Sequence, residues 1–434
     1  DCADAAHADQ FRVLRMTGVD TIALITLNGV EIGSTASAFL THDLLLPSGL
    51  LRPTANTLRV TITSALTYAR ESAAGYPYEV PHTQYYHVWS EPSHRNFVPK
   101  PASDFGWDWG GSYIPSGLTG EVTLRALEPS KAELDGIAIR QTHLANGSVA
   151  LRVLGWLSEP PEPSTAMDAS HVSLRLVLCH PACDASNDAP PMHVYHGNGL
   201  LLFAPPVDGA DLSQMRDDDI SPSIIIDHPK LWWPRGTGEA NLYELQAAIC
   251  IEGDDCDDLE TARANGAAFA IAPEEASGRL LKKTVGLRTV ELVTEKGKPP
   301  TPGLPNGTSF YFRVNGMPIF AKGANVIPSH VFPTEEWKSN DRWSWLLQQA
   351  AEANMNMVRV WGGGRYQPDE WYEMASRLGL MVWQEMIFAC ALYPTDKDFL
   401  SLVGREVREQ VSRLANHPSI VIWGGNNENE AALN

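Results

Sequence analysis

The stretch "VIWGGNNENE" (421–430) runs from an apolar segment into amides and carboxylates: Asn426, Asn427, Glu428, Asn429 and Glu430. Similar junctions occur upstream. "LMVWQE" (380–385) ends on Gln384 and Glu385, "NMVRVWGGG" (356–364) places Arg359 and Trp361 ahead of three glycines, and the run ending "IFAKG" leads to Asn325. These are the residue types a sugar-processing site needs. An indole face stacks on the C–H face of a pyranose, amides and carboxylates bind hydroxyls, and a carboxylic acid protonates the leaving oxygen. Each residue alone also has a plain reading. Glu428 fits an exposed loop glutamate, Trp361 core packing, Glu385 a cap or salt-bridge partner, and the glycines a tight turn. A further cluster is "DFGWDWGGSYIPSG" (104–117). On one strand Trp107 and Trp109 would face one way and Asp108 the other. It reads either as two core indoles with a surface carboxylate, or as a loop offering Asp108 and an indole to a sugar.

The elements that must position these groups follow from periodicity. Residues 1–128 read as all-β: "TIALITLNGVEIG" (21–33) is two strands joined by Asn28-Gly29, and "NTLRVTITS" and "GEVTLRAL" alternate apolar and polar residues. Residues 129–287 read as a second sandwich, with strands in "VALRVLGWL", "HVSLRLVL" and "LYELQAAICI" separated by Pro- and Asp-rich connections. From 288 the period changes. After the hairpin "FYFRVNGMPIFAKGAN" (310–325), helices are expected over 341–355, 368–379 and 395–418, the last capped by Thr395. They alternate with strands at 356–361, 380–385 and 420–423. That order predicts a parallel sheet, with a β/α barrel as the leading expectation and about four of eight strands present. Its functional groups lie where strands end.

Composition narrows the function class. The chain has 434 residues, 44% hydrophobic and 20% charged, with net charge −19. The acidity argues against nucleic acid and anionic membrane as partners, and no apolar run is long enough for a transmembrane helix. Other chemistries lack their signatures: there is no nucleophile elbow, zinc-protease motif, dinucleotide fingerprint or phosphate-cradling Gly-Lys-Ser/Thr. Cys179 with Cys183 and Cys250 with Cys256 are spaced either for local disulfides or as free thiols. No histidine pair accompanies them, so no metal and no cofactor is expected. Asn146 and Asn306 open glycosylation triplets.

The segments "FGWDWGG", "LWWPRGTGEANLYELQ", "FRVNGMPIFAKGANVIP", "NMNMVRVWGGGRYQPDEWYEMASRLGLMVWQEMIFACALYP" and "HPSIVIWGGNNENEAAL" resemble β-mannosidases of glycoside hydrolase family 2. The resemblance implies a jelly-roll sandwich (1–128, lacking its first strands), an immunoglobulin-like sandwich (129–287) and the first half of a (β/α)8 TIM barrel (288–434). It implies a retaining exo-β-mannosidase that removes terminal β-D-mannose from oligosaccharides, in glycoprotein catabolism and in a lysosomal or secreted setting. By position, Glu428 matches the general acid/base and Asn427 the residue that binds the 2-hydroxyl. Trp361 matches the lining of the mannose subsite, Trp107 with Asp108 the loop reaching it, and Arg359 an arginine near the nucleophile. Glu385 stands where the family more often has aspartate. Pro99-Lys100 replaces Arg-Lys, and Gly111 replaces a proline. The family nucleophile is a glutamate on a later barrel strand than any read here, so the expectation is an inactive fragment. Alternatives are another family 2 activity (endo-β-mannosidase or exo-β-glucosaminidase) and a non-catalytic carbohydrate-binding protein.

Overall fold

A computed structural model describes all residues except 1–10, 83–92, 128–132, 158–171, 181–192, 203–220, 252–279, 298–306, 339 and 434. In the first stretch, strands β1 (Phe11–Met16), β5 (His42–Leu45) and β8 (Val122–Leu127) form one antiparallel sheet, ordered β5-β1-β8. Strands β3 (Ile22–Leu27), β4 (Val30–Thr35) and β6 (Leu58–Thr63) form another, ordered β4-β3-β6. The short strands β2 (Val19–Asp20) and β7 (Gly117–Leu118) pair beside them. Leu14, Met16, Ile25 and Leu27 meet between the two larger sheets. The β3–β4 turn carries Asn28 at φ 52° and Gly29 at φ 85°, the double positive φ that Asn-Gly tolerates and a two-residue hairpin requires.

This stretch is not all-β. Helix α1 (Ala65–Gly75) starts at Ser64, whose side chain accepts from the Thr67 N–H. It buries only Ala65 and Ala69, too thin an apolar stripe to register as a helical period. Of the two readings of the tryptophan pair, a strand or a loop, the loop is the one seen. Residues 107–110 form a turn in which Trp107 and Gly110 exchange backbone hydrogen bonds.

The second stretch holds β9 (Leu134–His143), β10 (Val149–Leu157), β11 (Val172–His180), β12 (His193–Leu202), β13 (Ile224–Ile226), β14 (Tyr243–Ile251) and β15 (Leu280–Val285). β12-β11-β14-β15 run antiparallel; β10 pairs β9 and β13 antiparallel and the far end of β12 in parallel. All nine residues of β10 are buried. The core includes Leu151, Leu174, Leu176, Leu178, Ile226 and Leu245, each contributing roughly 1.5–3 kcal/mol of burial. Cys179 and Cys250 are disulfide-bonded. They sit at opposite ends of the β11–β14 register, opposite Glu244 and Ser173, so they are not bonded to each other. Cys183 and Cys256 lie outside the described residues, as does Asn306; Asn146 is exposed in the turn before β10.

The third stretch opens with the antiparallel sheet β16 (Val290–Val293), β17 (Tyr311–Val314) and β18 (Met317–Ile319). A four-stranded parallel sheet follows, in sequence order: β19 (Gly323–Val326), β20 (Met357–Val360), β21 (Met381–Glu385) and β22 (Ile420–Gly424). Between the strands come α2 (Pro333–Lys338) and α3 (Asn340–Glu352), then α4 (Asp369–Leu378), then α5 (Lys397–Leu414). Helix α4 ends at Gly379 in the left-handed region, where a side chain would be strained. The cap of α5 is Asp396, which accepts from the Asp398 and Phe399 N–H groups. Thr395 instead pairs its hydroxyl with that of Tyr78. The buried residues of α5 are Glu406, Gln410 and Leu414. This stripe is largely polar because it faces the loop after β4: Ser37 Oγ donates to Glu406, Gln410 donates to the Phe39 carbonyl, and Glu409 accepts from Thr41 N–H.

Candidate active site at the tips of the parallel strands

Strand register sets the site. Asn325, Arg359 and Trp383 occupy one level across β19, β20 and β21. The Arg359 guanidinium spreads over that level. Nε and Nη2 donate to Glu385 Oε1 at 3.0 and 2.6 Å, Nη2 also donates to Asn427 Oδ1 at 2.7 Å, and Nη1 donates to Asn325 Oδ1 at 3.2 Å. One arginine therefore ties together side chains from the tips of all four strands. It also lies over the Trp383 ring, 4.8 Å from its centroid. Four of its five N–H groups are accounted for, and 19% of its side chain stays exposed.

Glu385 is fully committed. It is 1% exposed, and its second oxygen accepts from the Gly362 N–H at 2.7 Å. Its neighbour Gln384 points the other way, into the layer under α4, where its Oε1 accepts from the Tyr372 hydroxyl at 2.6 Å.

The three glycines serve close approach as well as turning. A Cβ on Gly362 would meet the Met386 and Phe388 carbonyl oxygens at 2.8 Å, and one on Gly363 would sit 2.1 Å from the Trp361 ring. The Trp361 indole is 7% exposed. It is held edge-on by Trp107 at 4.7 Å and Trp109 at 5.9 Å between ring centroids. The 107–110 turn thus brings both indoles to Trp361 and leaves Asp108 exposed at its tip. Arg95, buried, lies 5.3 Å over the Trp107 ring and donates to the Ala389 and Cys390 carbonyls.

After β22 the backbone of Asn427 bridges in parallel to Ala389. Asn427 is buried, its Oδ1 on Arg359 and its Nδ2 on Cys390 Sγ. Glu428 follows at φ +50°, with an exposed side chain whose Oε2 accepts from the Cys390 thiol at 3.7 Å. The structure thus joins Trp107, Trp361, Arg359, Glu385, Asn427 and Glu428 through successive contacts, with Asp108 on the same loop as Trp107. Sequence reasoning missed Arg95 and Cys390. Arg95 carried no motif, and Cys390 lies in the segment after β21 where a strand-tip loop begins, a position that was a usable signal.

The neighbouring seam is built differently. Lys100 is buried and pairs with Asp20 at 2.5 Å and Asp104 at 2.8 Å. Asp104 pairs with Arg365 at 3.4 Å, and Arg365 with Glu336 at 3.2 Å. Burial pushes the carboxyls of Asp104 and Glu336 up, and the adjacent cations oppose that.

Known proteins are similar to this chain in sequence and fold. Residues 2–120 fit the family described as glycosyl hydrolase 2 galactose-binding domain-like. The bovine β-mannosidase is 33% identical over 417 residues, which are 96% of this chain and 41% of that protein. The mouse enzyme is 34% identical with the same coverage. The crystal structure of a β-D-mannosidase from Dictyoglomus thermophilum superposes with a TM-score of 0.74 at 31% identity, over 98% of this chain and 44% of that one. The chain is a homologue of the β-mannosidases of glycoside hydrolase family 2. It spans about two fifths of the length of these mammalian relatives. An exo-chitosanase from Amycolatopsis orientalis shares the fold at 15% identity, with a TM-score of 0.53. No described helix of this β-mannosidase homologue is long and apolar enough to cross a membrane. Among the described residues no cluster of His, Cys, Asp and Glu is arranged to hold a metal ion.

Proposed function

We propose that this chain forms the substrate-binding and proton-donating part of a retaining exo-β-mannosidase. The observation that supports the reading is the Arg359 hub: it holds Asn325, Glu385 and Asn427 at the tips of the parallel strands, and Glu428 follows Asn427 directly. In this reading the mannose ring lies on Trp361, Asn427 engages the 2-hydroxyl, and Trp107 with Asp108 borders the subsite from the first sandwich. Glu428 in its acid form donates a proton to the glycosidic oxygen while a carboxylate attacks the anomeric carbon. Glu428, then ionised, takes a proton from the water that releases mannose. The attacking carboxylate is assigned to a residue outside those described. Glu385 is held by Arg359 and Gly362, and Glu430 lies two residues from Glu428 on the same loop, whereas a retaining pair flanks the sugar from opposite faces with its carboxyls about 5–5.5 Å apart.

The parallel unit 288–434 is read as the first half of a β/α barrel. The stretch 1–128 is read as a jelly roll and 129–287 as an immunoglobulin-like sandwich. The disulfide-bonded state of Cys179 and Cys250 supports a secretory or lysosomal setting; glycoprotein oligosaccharides are the substrate source that the resemblance to β-mannosidases suggests. The test is turnover by the protein carrying this sequence. Release of mannose from an aryl β-D-mannoside, no release from the matching β-glucosaminide, and loss of turnover in Glu428→Gln are expected. Equal turnover of both glycosides, or full activity in Glu428→Gln, contradicts the reading.

A further inference from the structure

Residues Phe388–Cys390 run beside the Asn427–Glu428 pair as a short parallel bridge. The Asn427 N–H donates to the Phe388 carbonyl and the Cys390 N–H to the Asn427 carbonyl, each at 2.8 Å. Arg95 clamps the strip from the sandwich side through the Ala389 and Cys390 carbonyls. Cys390 is buried, and its Sγ lies 3.7 Å from Glu428 Oε2. Among the described residues it is the one side chain bonded to that carboxyl. The sulfur also accepts from Asn427 Nδ2 at 3.5 Å, which occupies its acceptor side and directs the S–H at Glu428. Cys390 and Glu428 both hold positive φ, 47° and 50°, a backbone state that non-glycine residues adopt only where the surroundings enforce it.

We propose that Cys390 is a positioning residue for the proton donor: its thiol occupies Oε2 and leaves the acidic proton on Oε1, the oxygen turned toward the glycosidic bond. This builds on the reading of Glu428 as the acid. Burial, reinforced by the negative charge of Glu428 and opposed by Arg95, pushes the Cys390 thiol up to about 11, so it remains an S–H donor at neutral and acid pH. The buried Tyr393 hydroxyl, which accepts from the Ala389 N–H, completes the polar surroundings of the strip.

The test uses substrates that differ in their need for an acid. A 2,4-dinitrophenyl β-mannoside leaves without protonation, and β-linked mannobiose does not. In the protein carrying this sequence, Cys390→Ala and the thiol-shaped Cys390→Val are expected to lower kcat on mannobiose about tenfold, a part of the 10²–10⁴ that general acid catalysis supplies. Turnover of the dinitrophenyl substrate should stay within about twofold. Cys390→Ser, which keeps a donor, should restore most of the mannobiose rate. Equal losses on both substrates, or none on either, overturn the proposal, provided Glu428→Gln shows the leaving-group dependence. If Glu428→Gln shows no such dependence, the acid assignment itself fails and the positioning role falls with it.

Discussion

Two arginines six residues apart, on either side of the Gly362–Gly364 turn, do opposite things. Arg365 is 3% exposed and lies between Asp104 and Glu336, themselves 3% and 1% exposed, with Lys100 and Asp20 completing the chain of charges. Its surroundings are closed, and it joins the first sandwich to the parallel sheet. Arg359 has one carboxylate and two amides around it and keeps an exposed edge. The residue type is the same, but only the second arrangement has polar capacity facing outward. A closed ion network specifies how two units dock; an open one can be completed by a hydroxylated ligand.

Breaking the closed network should have the largest effect. Removing one partner of a buried ion pair strands the other charge and costs about 3–5 kcal/mol. Arg365→Ala is therefore expected to lower the denaturation midpoint sharply, as read by urea or thermal melts. The same substitution at Arg359, whose side chain is 19% exposed, also leaves buried Glu385 without its cation but lets water reach the vacated place, so it is expected to lower the midpoint less than Arg365→Ala. Its kcat/KM should fall roughly 10²-fold, the cost of losing one preorganised donor set. If the two variants behave alike in both assays, the contrast is wrong.

Gly363→Ala places a methyl against the Trp361 indole. Overpacking of this kind costs about 1–3 kcal/mol and displaces the indole, so substrate KM should rise and the tryptophan emission of the folded protein should shift. Unchanged emission and KM would remove Trp361 from the subsite.

A pH dependence of the seam on α5 is also expected. Burial raises Glu406 to about 8, with hydrogen bonds from Ser37 and Tyr366 opposing. The folded state then holds a proton that the unfolded chain releases near 4.5. Stability from this group is full below 4.5 and is lost as pH rises toward 8. His417 works against it. Burial lowers this histidine to about 4, so its contribution is present above 6.5 and is lost as pH falls through 4. Glu406→Gln should flatten the decline in melting temperature between pH 5 and pH 8; an unchanged slope would place the titration elsewhere.

Much of this was legible in the chain itself. The parallel unit was readable because α3, α4 and β20–β22 obey strong periods, and Gly379 marks a helix end. The convergence of Arg359, Trp361, Asn427 and Glu428 follows from their places at strand ends. Helix α1 was hidden because alanines form its buried face. The Trp107–Gly110 segment was left open between strand and loop because alternation of large and small residues fits a strand equally well. The roles of Glu385 and Cys390 depend on partners far away in sequence, Arg359 and Glu428. Only the register of β20, β21 and β22 brings those partners into reach.

The most direct test of the central claim is a crystal structure of the protein carrying this sequence with a mannose-configured inhibitor bound. The account predicts the sugar ring over Trp361, its 2-hydroxyl on Asn427 within hydrogen-bond distance, and its anomeric substituent at Glu428. A ligand seated away from Trp361, with Asn427 still turned wholly to Arg359 and Glu428 facing open solvent, would contradict it.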